Sequence, residues 1–125
     1  DLNLTEFVHF TGFADEADLP TLYSGAICVA QPSLYEGFGI PILEGMACGI
    51  PVVTSNISSL PEVAGDAALT IDPYDMDALI HSLTQLIDDS ILRETLIKRG
   101  FERASKFTWD ASAAHLHQIY RQLLA

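Results

Sequence analysis

Short apolar runs alternate along the chain with stretches in which apolar residues recur at helical spacing, and this alternation predicts strands and helices in turn. Phe7 to Phe10 and Ala26 to Ala30 have strand character, with a short helix near Leu19 to Ser24 between them. Pro41 suits the first position of a helix that carries Ile42, Leu43, Met46 and Ala47 on one face and runs to Cys48. Pro51 to Thr54 is the next strand, Leu60 to Ala64 a short helix and Ala68 to Ile71 a further strand. Met76 to Ile87 is amphipathic, with Ala78, Leu79, Leu83, Leu86 and Ile87 apolar. Ser90 would cap a helix reaching about Lys106, with Gly100 a candidate kink, and Thr108 would cap a last one carrying Ala111, Leu116, Ile119, Tyr120 and Leu123.

Strands alternating with helices imply an α/β fold: a Rossmann-like parallel sheet with helices on both faces, ending in a helical C-terminal segment. Ligands of such sheets bind beyond the carboxyl ends of the strands. The chain of 125 residues, about half of them apolar, is long enough to bury a core. The core is expected over about residues 1–88 and the C-terminal helices over about 89–125.

The loop after Ala26–Ala30 carries the chemistry. In Ser33-Leu-Tyr-Glu-Gly-Phe-Gly-Ile-Pro-Ile-Leu-Glu44, two carboxylates flank a glycine-bearing loop that runs into a helix start. Gly37 and Gly39 let backbone amides approach an anion without a side chain in the way, and the helix dipole favours negative charge there. Were Glu36 to Glu44 all helix, they would lie about 12 Å apart along its axis. The two can therefore grip different groups of one ligand, such as hydroxyls on either side of a diphosphate. Tyr35 and Phe38 either shape that pocket or pack on the strand.

These residues resemble a known family. Tyr35-Glu-Gly-Phe-Gly-Ile-Pro-Ile-Leu-Glu-Gly-Met-Ala-Cys-Gly-Ile-Pro-Val-Val53 is similar to the Glu-x7-Glu region of family-4 glycosyltransferases, which are retaining, nucleotide-sugar-dependent enzymes of GT-B architecture. The resemblance begins with Val8-His-Phe-Thr-Gly-Phe13 and continues through Leu60-Pro-Glu-Val-Ala-Gly65, Ala68-Leu-Thr-Ile-Asp72 and Pro73. It implies that Glu44 binds the ribose hydroxyls, and that Glu36, the catalytic candidate, contacts the donor sugar and orients it. It further implies that the amides of Gly37, Phe38, Gly39 and Ile40 hold sugar hydroxyl and diphosphate, and that Gly12 and Phe13 lie near the base. The donor substrate would be a nucleotide-diphosphate sugar, with no other cofactor and no metal.

The resemblance also implies a partner: an N-terminal acceptor domain, which this chain is too short to contain. It starts at Asp1, at what looks like the third strand of the second domain, so an incomplete GT-B C-terminal domain, inactive alone, is expected. If the strand order matches that of the family, two central strands are absent, and the exposed sheet edge invites self-association.

Charge sharpens this picture. The net charge is −11, and all six Lys and Arg lie from Arg93 onward. An acidic chain of this kind argues against nucleic-acid binding. It also leaves the proposed diphosphate site without a local cation; in the resembling family an Arg and a Lys lie upstream of this region. The basic residues between Arg93 and Lys106 read as a solvated helix face, with Glu94 and Lys98 as a pair. No apolar run is long enough for a membrane span and no leader precedes a cleavage site, so a cytoplasmic setting is expected, with peripheral membrane association left open for the parent enzyme.

The remaining features have plainer readings. Cys28 and Cys48 read as small core residues and not as a disulfide pair. His115 and His117 stand two apart on a helix and point to different sides, so metal ligation is not expected. Gly45 suits close helix packing and Gly49 a left-handed helix end. Trp109 is expected to pin the last helix to the body. Asn56, Ser58 and Ser59 read as turn residues and stay outside the site. Two other functions remain open beside the transferase: a non-catalytic fragment or assembly module with an incomplete site, and, ranking lower, glycoside hydrolysis by paired carboxylates, in which a glycine loop between the acids has no purpose.

Overall fold

The computed structural model describes residues 3–124. In chain order its elements are α1 (Leu19–Ser24), β1 (Val29–Gln31), α2 (Ile40–Ala47), β2 (Val52–Ser55), α3 (Leu60–Ala64), β3 (Ala68–Ile71), α4 (Met76–Asp88), α5 (Ser90–Ala104) and α6 (Trp109–Leu123). The strands form one parallel sheet in the order β1-β2-β3, with Val29 opposite Val52 and Val52 opposite Ala68. Central β2 is buried at every position, as a parallel strand covered on both faces should be.

Two apolar clusters sandwich the sheet. On one face Ile42 and Met46 of α2 pack with Val52, Leu60 and Val63. On the other, Val53 and Ile71 meet Leu86 of α4 and Leu96 of α5. Helix α5 serves both clusters, because Ala104 at its far end packs against the first. Gly100 lies within α5 without interrupting it; a Cβ there would stand 3.2 Å from Met46 Cγ, so the residue marks the crossing of α5 and α2 and not a kink. Arg103 fastens the same junction, donating from Nε to the Val63 carbonyl at 2.9 Å and from its terminal nitrogen to that of Glu62.

Several expectations need correction. Residues 7–10 form no strand: the amides of Phe7 and Val8 turn back to the Leu4 carbonyl, and Phe7 and Phe10 are 78% and 95% exposed. A strand needs a ladder partner, and neither β1 nor β3 supplies one to this segment. The first sheet strand is accordingly Val29–Gln31, three residues long and later than the apolar run suggested. Asp89, not Ser90, caps α5, its Oδ1 accepting from the Leu92 amide at 2.8 Å; an aspartate at that position competes well with the following serine. Trp109 is 92% exposed and α6 buries no residue, so the tryptophan does not pin that helix. Among the described residues the ion pair is Arg99 with Asp66, at 3.7 Å, and Glu94 does not reach Lys98.

Candidate functional site

The loop from Pro32 to Gly39 leaves the carboxyl end of β1 and enters α2, and its shape is dictated by hydroxyls from β2 and the turn that follows. Thr54 Oγ1 donates to the Gln31 carbonyl at 3.0 Å, and buried Ser55 donates to that of Ser33. Ser58 holds the Glu36 backbone at both ends: its Oγ donates to the Glu36 carbonyl at 2.9 Å and accepts from the Glu36 amide at 3.2 Å. Ser59 Oγ reaches the carbonyls of Glu36 and Phe38 at 2.9 and 3.0 Å. To do so Ser58 adopts a left-handed φ of 59°, an uncommon conformation for a residue with a side chain.

The Glu36 side chain is aimed as well as its backbone. Oε1 accepts from Gln31 Nε2 at 2.8 Å and from Ser33 Oγ at 2.9 Å, leaving Oε2 without a hydrogen-bond partner among the described residues. Gln31 commits its amide group to this task while its own buried Oε1 goes unpaired, a cost of about 1–3 kcal/mol. Glu44, one helical turn inside α2, is held from α1: Tyr23 donates its hydroxyl to Oε2 at 2.9 Å. Burial first, and the bond to Glu44 second, push the Tyr23 hydroxyl up to about 12, so it keeps its proton throughout the neutral range.

Between the two carboxylates, the amides of Gly37, Phe38, Gly39 and Ile40 donate to no acceptor among the described residues. Gly39 takes φ 106° at the N-cap, where a Cβ would stand 2.6 Å from Leu60 Cδ2. Only glycine fits there. Gly37 differs, since a Cβ on it would meet nothing within 4 Å. Pro41 at the second helical position has no N–H to leave unsatisfied. Successive free amides at a helix start attract an anion, and positioned carboxylates on both sides accept from hydroxyls.

Beside this loop runs an apolar groove of about 690 Å³ whose walls include Phe38, Ile40 and Glu44 on one side and Ala104, Phe107 and Trp109 on the other. The Phe38 and Phe107 rings meet edge to face, with centroids 5.7 Å apart. No lysine or arginine lines it. The guanidinium of Arg93 donates to the carbonyls of Leu86 and Ile87, Arg99 to that of Asp66, and Arg103 lies 4.8 Å over Phe107.

The structure thus brings Glu36, Gly37, Phe38, Gly39, Ile40 and Glu44 onto one loop and helix start. Gly12 and Phe13 belong to the N-terminal segment, Gly12 with φ 65° and Phe13 exposed, and neither shares a hydrogen bond with that loop. Sequence reasoning missed Tyr23, Gln31, Ser58 and Ser59; the two serines were visible at a carboxyl edge but were indistinguishable from ordinary turn residues. Cys28 and Cys48 are free thiols, and burial raises the pKa of Cys28. No described helix is long and apolar enough to cross a membrane.

A family model described as Glycosyl transferases group 1 matches residues 1–103. O-antigen chain mannosyltransferase B of Escherichia coli is 44% identical over 117 residues, which are 94% of this chain and 31% of that protein. The MMP alpha-(1->4)-mannosyltransferase of Mycolicibacterium hassiacum is 34% identical over 129 residues, covering all of this chain and 31% of the relative. The solved structure of a sucrose-phosphate synthase from Thermosynechococcus elongatus superimposes with a TM-score of 0.85 at 37% identity, covering 98% of this chain and 31% of that one. The chain therefore spans about a third of the length of these relatives.

Proposed function

The chain belongs to the glycosyl transferases group 1 family and has the α/β architecture of a GT-B glycosyltransferase, and on that premise we propose that it forms the donor-binding part of a retaining enzyme that transfers a sugar from a nucleotide diphosphate to an acceptor. The observation that carries this reading is the run of four unpartnered amides, Gly37 to Ile40, between two carboxylates that other residues hold in place. The amides bind the diphosphate and a sugar hydroxyl, Glu44 accepts from the ribose diol, and Glu36 accepts from the donor sugar. In front-face substitution the bond from the anomeric carbon to phosphate breaks as the acceptor oxygen arrives on the same face, and the departing phosphate takes the acceptor's proton. Glu36 orients and stabilises the sugar in that step. No metal is required, and Gly12 and Phe13 remain candidates for a place near the base.

The acceptor is held by a preceding domain in this reading, and catalysis is cytoplasmic. The edges of β1 and β3 are where the absent strands of this same sheet, or a second copy of the chain, would pair. Relatives named as mannosyltransferases make mannose the first sugar to test. A second reading, a folded module with an incomplete site, is favoured by the lack of a cation in the groove lining and by the carbonyl bonds of Arg93, Arg99 and Arg103.

Calorimetric titration of the full-length product of this gene with uridine and guanosine diphosphate-hexoses separates the two. Saturable binding that Glu44→Ala weakens by about tenfold supports the donor site. Absence of binding in the folded wild type supports the module.

A further inference from the structure

Glu44 has one oxygen engaged and one free. Its Oε2 accepts the Tyr23 hydroxyl at 2.9 Å, whereas Oε1 has no partner among the described residues and the carboxylate borders the groove beside the free amides. A glutamate left to itself samples many rotamers, and fixing it costs free energy each time a ligand binds. A phenol on a separate helix, at 21 residues' remove, removes that cost in advance. We infer that Tyr23 is a positioning residue for ribose recognition: it holds Glu44 in the rotamer that presents Oε1 to the vicinal hydroxyls of a nucleoside diphosphate.

The inference rests on the donor-site reading above and adds to it a residue outside the Glu-x7-Glu segment. Tyr23 suits the role because its ring is partly buried between α1 and α2 while its hydroxyl stays protonated across neutral pH. It touches no ligand itself. Replacement by phenylalanine keeps the ring and deletes only the hydrogen bond, so any packing role survives.

The test measures dissociation constants of guanosine and uridine diphosphate, each against its 2′-deoxy counterpart, on the full-length gene product and its Tyr23→Phe and Glu44→Ala variants. Wild type should prefer the ribonucleotide by about tenfold, and Glu44→Ala should erase the preference. Tyr23→Phe should weaken the ribonucleotide by about five- to tenfold and leave the deoxynucleotide nearly unchanged, so that the ratio contracts. The ratio is insensitive to a general loss of folded protein, because both ligands read the same sample. If Tyr23→Phe weakens both ligands equally, or neither, while Glu44→Ala erases the preference, Tyr23 has no positioning role and the donor site stands. If Glu44→Ala keeps the preference, or wild type binds neither nucleotide, the donor-site reading fails and this inference with it.

Discussion

Replacing Gly39 by alanine should damage the protein far more than the same change two residues earlier. At Gly39, φ is 106° and ψ 45°, a conformation that costs a residue with a Cβ about 1–3 kcal/mol. The added methyl would also stand 2.6 Å from Leu60 Cδ2, about 1 Å inside ordinary carbon contact. Leu60 is fully buried in the cluster with Ile42, Met46 and Val63, so its side chain has no solvent side to retreat to. Overpacking of this kind costs about 1–3 kcal/mol. The lower entropy of alanine in the unfolded chain returns about 0.4–1 kcal/mol. The net loss centres near 3 kcal/mol (order of magnitude), which at a urea m-value of about 1–3 kcal/mol/M lowers the unfolding midpoint by about 1–3 M. Gly37→Ala, with nothing within 4 Å of the new methyl, should stay within about 1 kcal/mol of wild type. Urea unfolding followed by circular dichroism on both variants decides the matter. Equal midpoints for the two would refute the assignment of Gly39 as a steric and conformational necessity.

Ser58→Ala removes a hydroxyl that both donates to and accepts from the Glu36 backbone, and should weaken nucleotide-sugar binding by about five- to tenfold with little change in melting temperature; an unaltered affinity would mean that Ser59 and Ser55 hold the loop without it. Tyrosinate absorbance of wild type minus Tyr23→Phe should show a titration near pH 12. Because the folded pKa is raised above the unfolded value of 10, the stability that Tyr23 adds is complete below pH 10 and fades as pH climbs toward 12. Urea midpoints of the two proteins should therefore converge across that window, and a constant gap would count against the hydrogen bond to Glu44.

The chain's local signals determined much of this protein. The period of apolar residues sets α3 and β3 at their observed bounds, and places α2, β2 and α4 to within a residue or so at each end. Thr108 caps α6 as its position suggested, its Oγ1 accepting from the Ala111 amide at 3.1 Å. Gly49 ends the α2 turn with φ 75°, and Gly45 lies where a Cβ would press Val29 at 3.0 Å. The grouping of Glu36, the glycines and Glu44 was also legible, because that loop and helix start are contiguous in sequence. Each of these features depends on contacts within a turn or two, where residue type and spacing suffice.

Tertiary structure alone decided the rest. An apolar run at residues 7–10 is not a strand without a neighbour to pair with, and pairing is a property of the sheet. The partners that hold the site come from far along the chain: Ser58 lies 22 residues from Glu36, and Tyr23 lies 21 from Glu44. Arg103, 40 residues from Val63, turns from a solvated cation into a clasp on α3 only because α5 crosses there. Serine, tyrosine and arginine carry the same side chains in a turn, a core or a clasp, and spacing cannot rank their partners. Only the closing of the sheet and its helices brings a donor within 3 Å of one acceptor among many, and that choice belongs to the fold.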